Sequence, residues 1–244
     1  MKYLGPRACE EALKSDSLHV LRVSPAAWGR TRGLREMARA SGASVHREPT
    51  ESLDRRSDGQ RHQGVLGEGS GIRYSDLAEI LEAEHARGKH GLILALDGIT
   101  DPYNFGAVLR SAAAANVDAV IFPQRRSAQA NETVIRASAG AAAHVPLVRA
   151  VNLGRAIDEL KKAGVRILGM SASAEDSQNY LDEQFNAASA IVLGSEGEGL
   201  RLKIRERCDA MLNIEMPGRI GSLNVSVAAA VVLFRALAMR KKNL

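Results

Sequence analysis

From Leu92 onward the sequence alternates short apolar runs with stretches of helical pattern, and this alternation limits the folds that the chain can adopt. Six apolar runs of strand length occur, at 92–96, 118–122, 145–149, 165–169, 189–193 and 210–215. Strands that are separated by helices pair in parallel, because each helix carries the chain back across the sheet. The sequence therefore predicts an α/β fold with a mostly parallel sheet that is covered on both faces.

The first 66 residues alternate on a shorter scale. Helical patterns at "RACEEALK" and "TRGLREMARA" are interspersed with extended patterns at "HVLRVS", "SVHREP" and "QGVLGEG". The stretch "GEGSG" that follows has the composition of a linker, and "YSDLAEILEAEHARG" has a helical pattern. We predict a small α/β domain over 1–66, a linker with a bridging helix over 67–90, and a second domain over 91–244.

The basic charge of the chain is concentrated at its start. The 244 residues carry a net charge of +5, and residues 1–66 hold 12 Lys and Arg against 8 Asp and Glu, whereas the remainder holds 21 against 20. A basic domain of this kind is typical of docking to a nucleic acid. Any of these arginines could also lie on a plain solvated face. The candidate phosphate contacts are Arg7, Arg30, Arg32 and Arg35.

Several classes of protein are disfavoured by what the sequence lacks. Cys9 and Cys208 have neither CxxC nor metal-ligand spacing, so we expect a reducing cytoplasm and no structural metal. The N-terminal segment is charged, unlike a signal peptide. The longest apolar run, at 225–234, is shorter than the roughly 20 residues that span a bilayer.

Three loops each follow a strand and open a helix: "DGITDPYNFGAVLR", "LGSEGEGL" and "IEMPGRIGSLNVS". Ligands of parallel sheets bind at the carboxyl ends of the strands, where such loops leave. If the first helix begins near Asn104, Arg110 lies in its second turn and leans back over Gly106. A phosphate could then bind at the helix N-terminus, where N–H groups and the dipole favour an anion. An exposed surface arginine is the alternative.

The second loop is rich in glycine but acidic. Glu196 and Glu198 would repel a polyphosphate, the Lys of a P-loop is missing, and the glycine spacing differs from GxGxxG. A cationic or neutral ligand is favoured, and a plain turn with solvated glutamates is the alternative. In the third loop, Ser222 or Asn224 is suited to cap the following helix. Capping would use one of the two and leave the other for a site.

The helix predicted after the third loop is apolar on nearly every face from 225 to 234. An apolar helix of this kind is buried in a core or in a subunit interface.

Together these loops resemble the motifs of the SpoU/TrmH family of the SPOUT class, the RNA ribose 2′-O-methyltransferases. The motif N-x-G-x-x-x-R matches Asn104, Gly106 and Arg110, the motif G-x-E-G-x-G matches residues 194–199, and P-x-x-x-x-S-L-N-V-S matches residues 217–226. The N-terminal unit with "SDGQRHQGV", together with "RSAQAN", resembles the subfamily that methylates guanosine in 23S rRNA. That subfamily carries a small ribosomal-protein-like RNA-binding domain before its SPOUT domain.

The resemblance implies a fold, a cofactor and partners. The parallel sheet of the SPOUT domain would be threaded into a deep trefoil knot, one of the rare exceptions to unknotted chains. S-adenosylmethionine would bind in the knot against the backbone around Gly194, Ile214 and Leu223. The chain would act as a homodimer on 23S rRNA, either naked or in an assembling ribosomal particle.

The resemblance also implies the catalytic residues. Methyl transfer to a 2′-oxygen requires alignment and removal of the hydroxyl proton. Arg110 would be the base, or it would bind a phosphate and stabilise the alkoxide while water takes the proton. Asn104 and Glu196 would orient the arginine and the ribose, and Ser222 and Asn224 would shape the junction between cofactor and substrate.

Other functions fit parts of the pattern. A tRNA, or another rRNA nucleotide, could be the target of the same chemistry. A catalytically silent RNA-binding factor for ribosome assembly could use the same scaffold, but the four intact polar residues of the motifs oppose it. A nucleotide-dependent oxidoreductase lacks its phosphate loop.

Overall fold

The computed structural model describes residues 1–70, 74–87, 91–172, 175 and 177–242. The chain divides into two compact units, each with its own sheet. Unit 1 comprises Met1–Arg73 and Ala130–His144, and unit 2 comprises Tyr74–Gln129 and Val145–Leu244.

The first half of the chain contains β1 (Lys2–Leu4), α1 (Pro6–Lys14), β2 (Leu18–Val23), α2 (Pro25–Trp28), α3 (Arg32–Ala40), β3 (Ser44–Arg47), α4 (Thr50–Arg56), β4 (Val65–Gly69), α5 (Leu77–Arg87), β5 (Leu92–Asp97), α6 (Pro102–Ala114) and β6 (Ala119–Pro123). The second half contains α7 (Glu132–Ala137), β7 (Leu147–Ala150), α8 (Leu153–Lys162), β8 (Arg166–Ser171), β9 (Gln178–Asn179), β10 (Ser189–Gly194), α9 (Leu202–Arg205), β11 (Ala210–Asn213) and α10 (Val225–Lys242).

Unit 1 is built on a four-stranded sheet in the order β1-β4-β2-β3. Strands β2 and β3 pair in parallel, and β4 pairs antiparallel with both β1 and β2. Its core includes Leu21 and Val23 of the sheet, Cys9 of α1 and Ile135 of α7, which is only 2% exposed. Residues 130–144 therefore contribute to the core of a unit whose other residues end at 73.

The structure differs from the predicted linker at residues 67–69, which belong to β4. A Cβ atom on Gly67 would lie 2.4 Å from Leu18 Cδ1, and one on Gly69 would lie 1.8 Å from the carbonyl oxygen of Ser17. These glycines permit close packing of the chain against β4. The composition of the segment had instead suggested a flexible linker. The predicted boundary at 66/67 falls inside this strand, and residues 71–73 and 88–90 of the predicted linker lie outside the described residues.

Unit 2 is built on a seven-stranded sheet in the order β7-β6-β5-β10-β8-β11-β9. Every pairing in it is parallel, and the ends of the six predicted strands are confirmed to within two residues. Strand β9, which has only two residues and lies at the sheet edge, was not predicted. The knot stays a prediction, with which this strand order is consistent.

The strand order creates a switch point in the middle of the sheet. From β5 the chain continues to β6 and β7 on one side, while β10, β8 and β11 lie on the other. Loops that follow β5 and β10 therefore diverge at the shared carboxyl edge, where α/β sheets bind their ligands. Helices α6 and α10 pack against each other, and Ala112 of α6 and Ala229 and Ala236 of α10 are fully buried. Among the described residues, no helix is both long and apolar enough to cross a membrane.

Candidate active site

Three polar side chains from the three predicted loops meet in a closed triangle of hydrogen bonds. Asn104 Nδ2 donates to Glu196 Oε2 at 3.1 Å. Asn224 Nδ2 donates to both remaining corners, to Asn104 Oδ1 at 2.9 Å and to Glu196 Oε1 at 2.9 Å. Both carboxylate oxygens of Glu196 therefore accept an amide proton, which fixes the orientation of the carboxylate.

Asn224 also begins helix α10. Its Oδ1 accepts hydrogen bonds from the Ser226 backbone N–H at 2.9 Å and from Ser226 Oγ at 2.6 Å. We predicted that one of Ser222 and Asn224 caps the helix and leaves the other for a site. Asn224 does both, because its side-chain oxygen caps the helix and its nitrogen belongs to the triangle. Ser222 is exposed and lies on the neighbouring pocket wall.

Helix α6 begins at Pro102, two residues earlier than predicted, so Arg110 lies in its third turn. The reason is Asp101, whose carboxylate caps the helix by accepting from Tyr103 N at 3.2 Å and Asn104 N at 3.1 Å. These N–H groups are therefore occupied by a carboxylate, and the expected phosphate site on the N-terminus of this helix is wrong.

Arg110 is exposed and forms no hydrogen bond or ion pair with any residue that the structure describes. The expected contact of Asn104 and Glu196 with this arginine is accordingly not present in the protein alone. A free guanidinium two turns along α6 remains available to an anionic ligand.

A pocket of about 440 Å³ lies beside the triangle in unit 2. All three predicted cofactor residues, Gly194, Ile214 and Leu223, line it, together with Glu196 from the triangle. Its volume is in the range of roughly 300–1,000 Å³ that is usual for small-molecule sites. Further apolar lining comes from Met170, Leu193, Leu200, Met211, Met216 and Val225.

The glycine-rich loop forms one wall of the pocket as a tight turn. Ser195 and Gly199 exchange backbone hydrogen bonds of 3.1 and 3.0 Å, and Gly197 and Gly199 have φ of +89° and +67°. A Cβ atom on Gly194 would lie 2.1 Å from the carbonyl carbon of Gly199. The glycines of the motif therefore serve the left-handed turn and the close backbone approach.

An ion pair between a buried carboxylate and a half-exposed arginine anchors this loop to the first one. Asp97, at the end of β5, has a fully buried side chain that accepts from Arg201 Nε at 2.7 Å and from the Arg201 backbone N–H at 3.0 Å. Neither this ion pair nor the Asp101 cap was predicted. The available signal was the position of Asp97, a carboxylate that directly follows a buried strand.

The residues present fit S-adenosylmethionine. The apolar side chains and the backbone of the loop suit an adenine ring, and Glu196 and Glu198 suit a positively charged sulfonium better than a polyphosphate. Arg205 also lines the pocket. The described residues contain no group of three or more His, Cys, Asp or Glu that could hold a metal ion.

The four arginines predicted to contact RNA lie in unit 1 and differ in their surroundings. Arg35 stacks 4.1 Å from the ring centroid of Trp28, and Arg32 forms an ion pair of 2.9 Å with Glu36. Arg30 donates to a backbone carbonyl, that of Gln63, at 2.8 Å. Arg7 is exposed on α1. Three of the four thus surround the short α2 and the start of α3.

Comparison with known families and proteins shows what the chain is similar to. Residues 91–234 match the SpoU rRNA Methylase family, and residues 4–75 match a family described as RNA 2′-O ribose methyltransferase substrate binding. A similar curated protein is the 23S rRNA (guanosine-2′-O-)-methyltransferase RlmB of Xylella fastidiosa, which is 42% identical over 240 residues, or 97% of this chain and 96% of the relative.

Two solved structures show the same fold at lower identity. The SpoU methyltransferase AviRb from Streptomyces viridochromogenes superposes with a TM-score of 0.81 at 21% identity, over 100% of this chain and 90% of its own. The AdoMet-bound rRNA methyltransferase from Sinorhizobium meliloti gives 0.76 at 24% identity, over 100% and 87%. The family match and the near full-length relative confirm the prediction from the three loops: the chain belongs to the SpoU rRNA methylase family.

Proposed function

We propose that this protein transfers a methyl group from S-adenosylmethionine to the ribose 2′-hydroxyl of a guanosine in 23S rRNA. The observation that carries the proposal is the triangle of Asn104, Glu196 and Asn224 at the rim of the pocket. Membership of the SpoU family supports the reaction, and the similarity to a protein named for guanosine in 23S rRNA supports the substrate.

The backbone around Gly194, Ile214 and Leu223 holds the cofactor in the pocket. When bound, S-adenosylmethionine supplies an electrophilic methyl group on a sulfonium, so the protein has to supply alignment and charge. The oriented carboxylate of Glu196, held by two amides, positions the ribose at the pocket rim. Ser222, next to Leu223 on the same wall, shapes the junction between the two substrates.

Arg110 binds the phosphate beside the target ribose. Its guanidinium has no protein partner among the described residues, and a guanidinium has only hydrogen-bond donors and no acceptor atom. We therefore assign Arg110 to phosphate binding and to stabilisation of the developing charge on the 2′-oxygen, with water as the proton acceptor.

Unit 1 docks the RNA. It carries the basic excess of the chain, and the substrate-binding match covers residues 4–75. The phosphate contacts are Arg7, Arg30, Arg32 and Arg35, of which Arg32 has to exchange its ion pair with Glu36 for one with the RNA.

The active form is a homodimer in the cytoplasm, and its substrate is 23S rRNA, free or in an assembling particle. Val227 and Phe234 on α10 are each 47% exposed and give this helix an apolar strip for a second copy.

The experiment is transfer of labelled methyl from S-adenosylmethionine to unmodified 23S rRNA and, in parallel, to unmodified tRNA, followed by alkaline hydrolysis. A 2′-O-methyl group blocks cleavage of the next phosphodiester bond, so the label should remain in a dinucleotide that contains guanosine. Label from tRNA alone would keep the chemistry and overturn the substrate. Cofactor binding without transfer to either RNA would favour a silent RNA-binding factor.

A further inference from the structure

Tyr103 is an exposed aromatic residue beside the candidate active site. The chain has only nine aromatic residues, one Trp, four Tyr and four Phe, and four of them are at most 1% exposed, namely Tyr3, Phe105, Phe122 and Phe185. Tyr103 is 64% exposed, although its neighbour Asn104 belongs to the triangle. Neither the fold nor the assigned mechanism accounts for this ring.

Tyr103 and Arg110 lie on one stripe of α6. They are seven residues apart, which is nearly two helical turns and a rise of about 10.5 Å. The side chain between them is the small Ala107. Because helical side chains lean toward the N-terminus, we expect the guanidinium to extend back toward Ala107 and the tyrosine ring.

The charges along this stripe give it a polarity. The carboxylate of Asp101 caps the helix beside Tyr103, so an anion is disfavoured at that end. The guanidinium of Arg110 favours an anion at the other end. A ligand that suits the stripe has a neutral, flat group at one end and an anionic group at the other, as a nucleotide has.

We propose that Tyr103 stacks on the base of the target nucleotide while Arg110 holds the adjacent phosphate. The inference rests on the proposed function, since it takes RNA as the ligand of this face. RNA bases that are unstacked from a helix bind proteins by stacking on aromatic side chains. Stacking here places the ribose of the same nucleotide over Asn104, the next residue of the helix, and thereby in front of the triangle.

The test is equilibrium binding of unmodified 23S rRNA by Tyr103→Ala, Tyr103→Phe and Tyr74→Ala. Tyr74 is a matched control because it is an exposed tyrosine of the same unit, 39% exposed, with Arg149 stacked 4.7 Å from its ring. Tyr103→Ala should weaken binding roughly 5- to 150-fold, the effect of losing one stacked base. Tyr103→Phe keeps the ring and should bind like the wild type, as should Tyr74→Ala.

A second measurement identifies the base. In a synthetic 23S rRNA fragment that contains the methylated nucleotide, an abasic site at that nucleotide should weaken binding by the wild type but not by Tyr103→Ala. Wild-type affinity of Tyr103→Ala would overturn the proposal, and so would equal losses in the Ala and Phe variants. A change in sedimentation of Tyr103→Ala alone would instead place the ring against a second copy of the chain.

Binding is measured without turnover, so the two proposals fail separately. If the wild type transfers no methyl group, the proposed function fails, and the binding ratios of the Tyr103 variants still decide whether the ring contacts RNA.

Discussion

At the scale of single residues, the two polar atoms of the Asn224 side chain have different roles. Its oxygen begins α10 through Ser226, and its nitrogen donates to Asn104 and Glu196. Any change at this position therefore acts on helix stability and on the site together, unless it keeps the oxygen and removes only the nitrogen.

Asn224→Asp makes that separation. The carboxylate keeps the cap, whose loss in Asn224→Ala should cost about 1 kcal/mol in the free energy of unfolding. In the site, the new carboxylate replaces two donations with repulsion of Glu196, and methyl transfer should fall at least about tenfold, since hydrogen bonds to charged groups contribute roughly 1.5–3 kcal/mol.

Thermal unfolding and methyl transfer, measured on the same preparations, check this prediction. Ser226→Ala is the control, because it removes one contact to the cap and leaves the triangle intact. Full activity of Asn224→Asp would show that the triangle has no part in catalysis.

A second residue-scale prediction concerns Asp97, which no motif had marked. Asp97→Asn removes the charge that holds Arg201 and should lower the free energy of unfolding by roughly 1–3 kcal/mol. Because the pair anchors the loop that lines the pocket, affinity for S-adenosylmethionine should fall as well. Isothermal titration measures it, and Arg201→Lys, which keeps the charge without the fork, should show a smaller loss. Unchanged affinity of Asp97→Asn for S-adenosylmethionine would show that the ion pair does not affect the pocket.

At the scale of elements, the sheet of unit 1 carries a network of ion pairs. Arg22 on β2 pairs with Glu48 and, at 3.0 Å, with Glu68 on β4. The hydrogen bond from Arg22 is the main cause that holds the pKa of Glu68 below its ordinary value of 4.5. For Glu48, burial acts to raise the pKa, but hydrogen bonds from Ser52 and Arg22 outweigh it and lower the pKa.

Acid should therefore destabilise unit 1. A carboxyl group with a lowered pKa in the folded state stabilises the fold above its ordinary pKa, and this stabilisation is lost as the pH falls through the lowered value. We expect the unfolding temperature of unit 1 to fall below about pH 4.5 and this fall to be smaller in Glu68→Gln. Circular dichroism melts from pH 3 to 7 measure both, and identical pH profiles would contradict the prediction.

Helices and strands could be predicted where the pattern of apolar residues indicates only one of the two. The exact residues at which they begin and end could not be predicted. The apolar runs gave all six long strands of unit 2, because buried parallel strands have no polar alternation to confuse the pattern. The start of α6 was placed two residues late because the Asp101 cap was overlooked. The glycines of β4 were assigned to a linker, although they are needed for close contact with Leu18 and Ser17. That contact involves a different segment of the chain and cannot be seen in the local sequence.

At the scale of the whole molecule, the motifs located the site, although the contacts within it could not be predicted. Asn104, Glu196 and Asn224 are separated by up to 120 residues, and they reach one edge of the sheet because the strands that precede them, β5, β10 and β11, all run parallel in it. The return of residues 130–144 to unit 1 had no signal in the sequence, because α7 has the pattern of an ordinary crossover helix.

Truncation tests this return. In the full chain Ile135 is 2% exposed, because it packs in the core of unit 1. A chain that begins at Tyr74 keeps Ile135 but loses the rest of that core. We expect the truncated protein to bind a hydrophobic dye and to aggregate, and we expect Ile135→Ser to reduce both in the truncated chain. Light scattering and dye fluorescence provide the measurement. A truncated chain that stays monodisperse and binds no dye would indicate that α7 finds other cover.

The same insertion sets an order in time. A chain leaves the ribosome from its N-terminus, and the core of unit 1 includes Ile135. Unit 1 therefore cannot complete its core until α7 has emerged, by which point β5, α6 and β6 of unit 2 have already been synthesised. The domain that comes first in the sequence therefore completes its core only after the first two strands of unit 2 have left the ribosome.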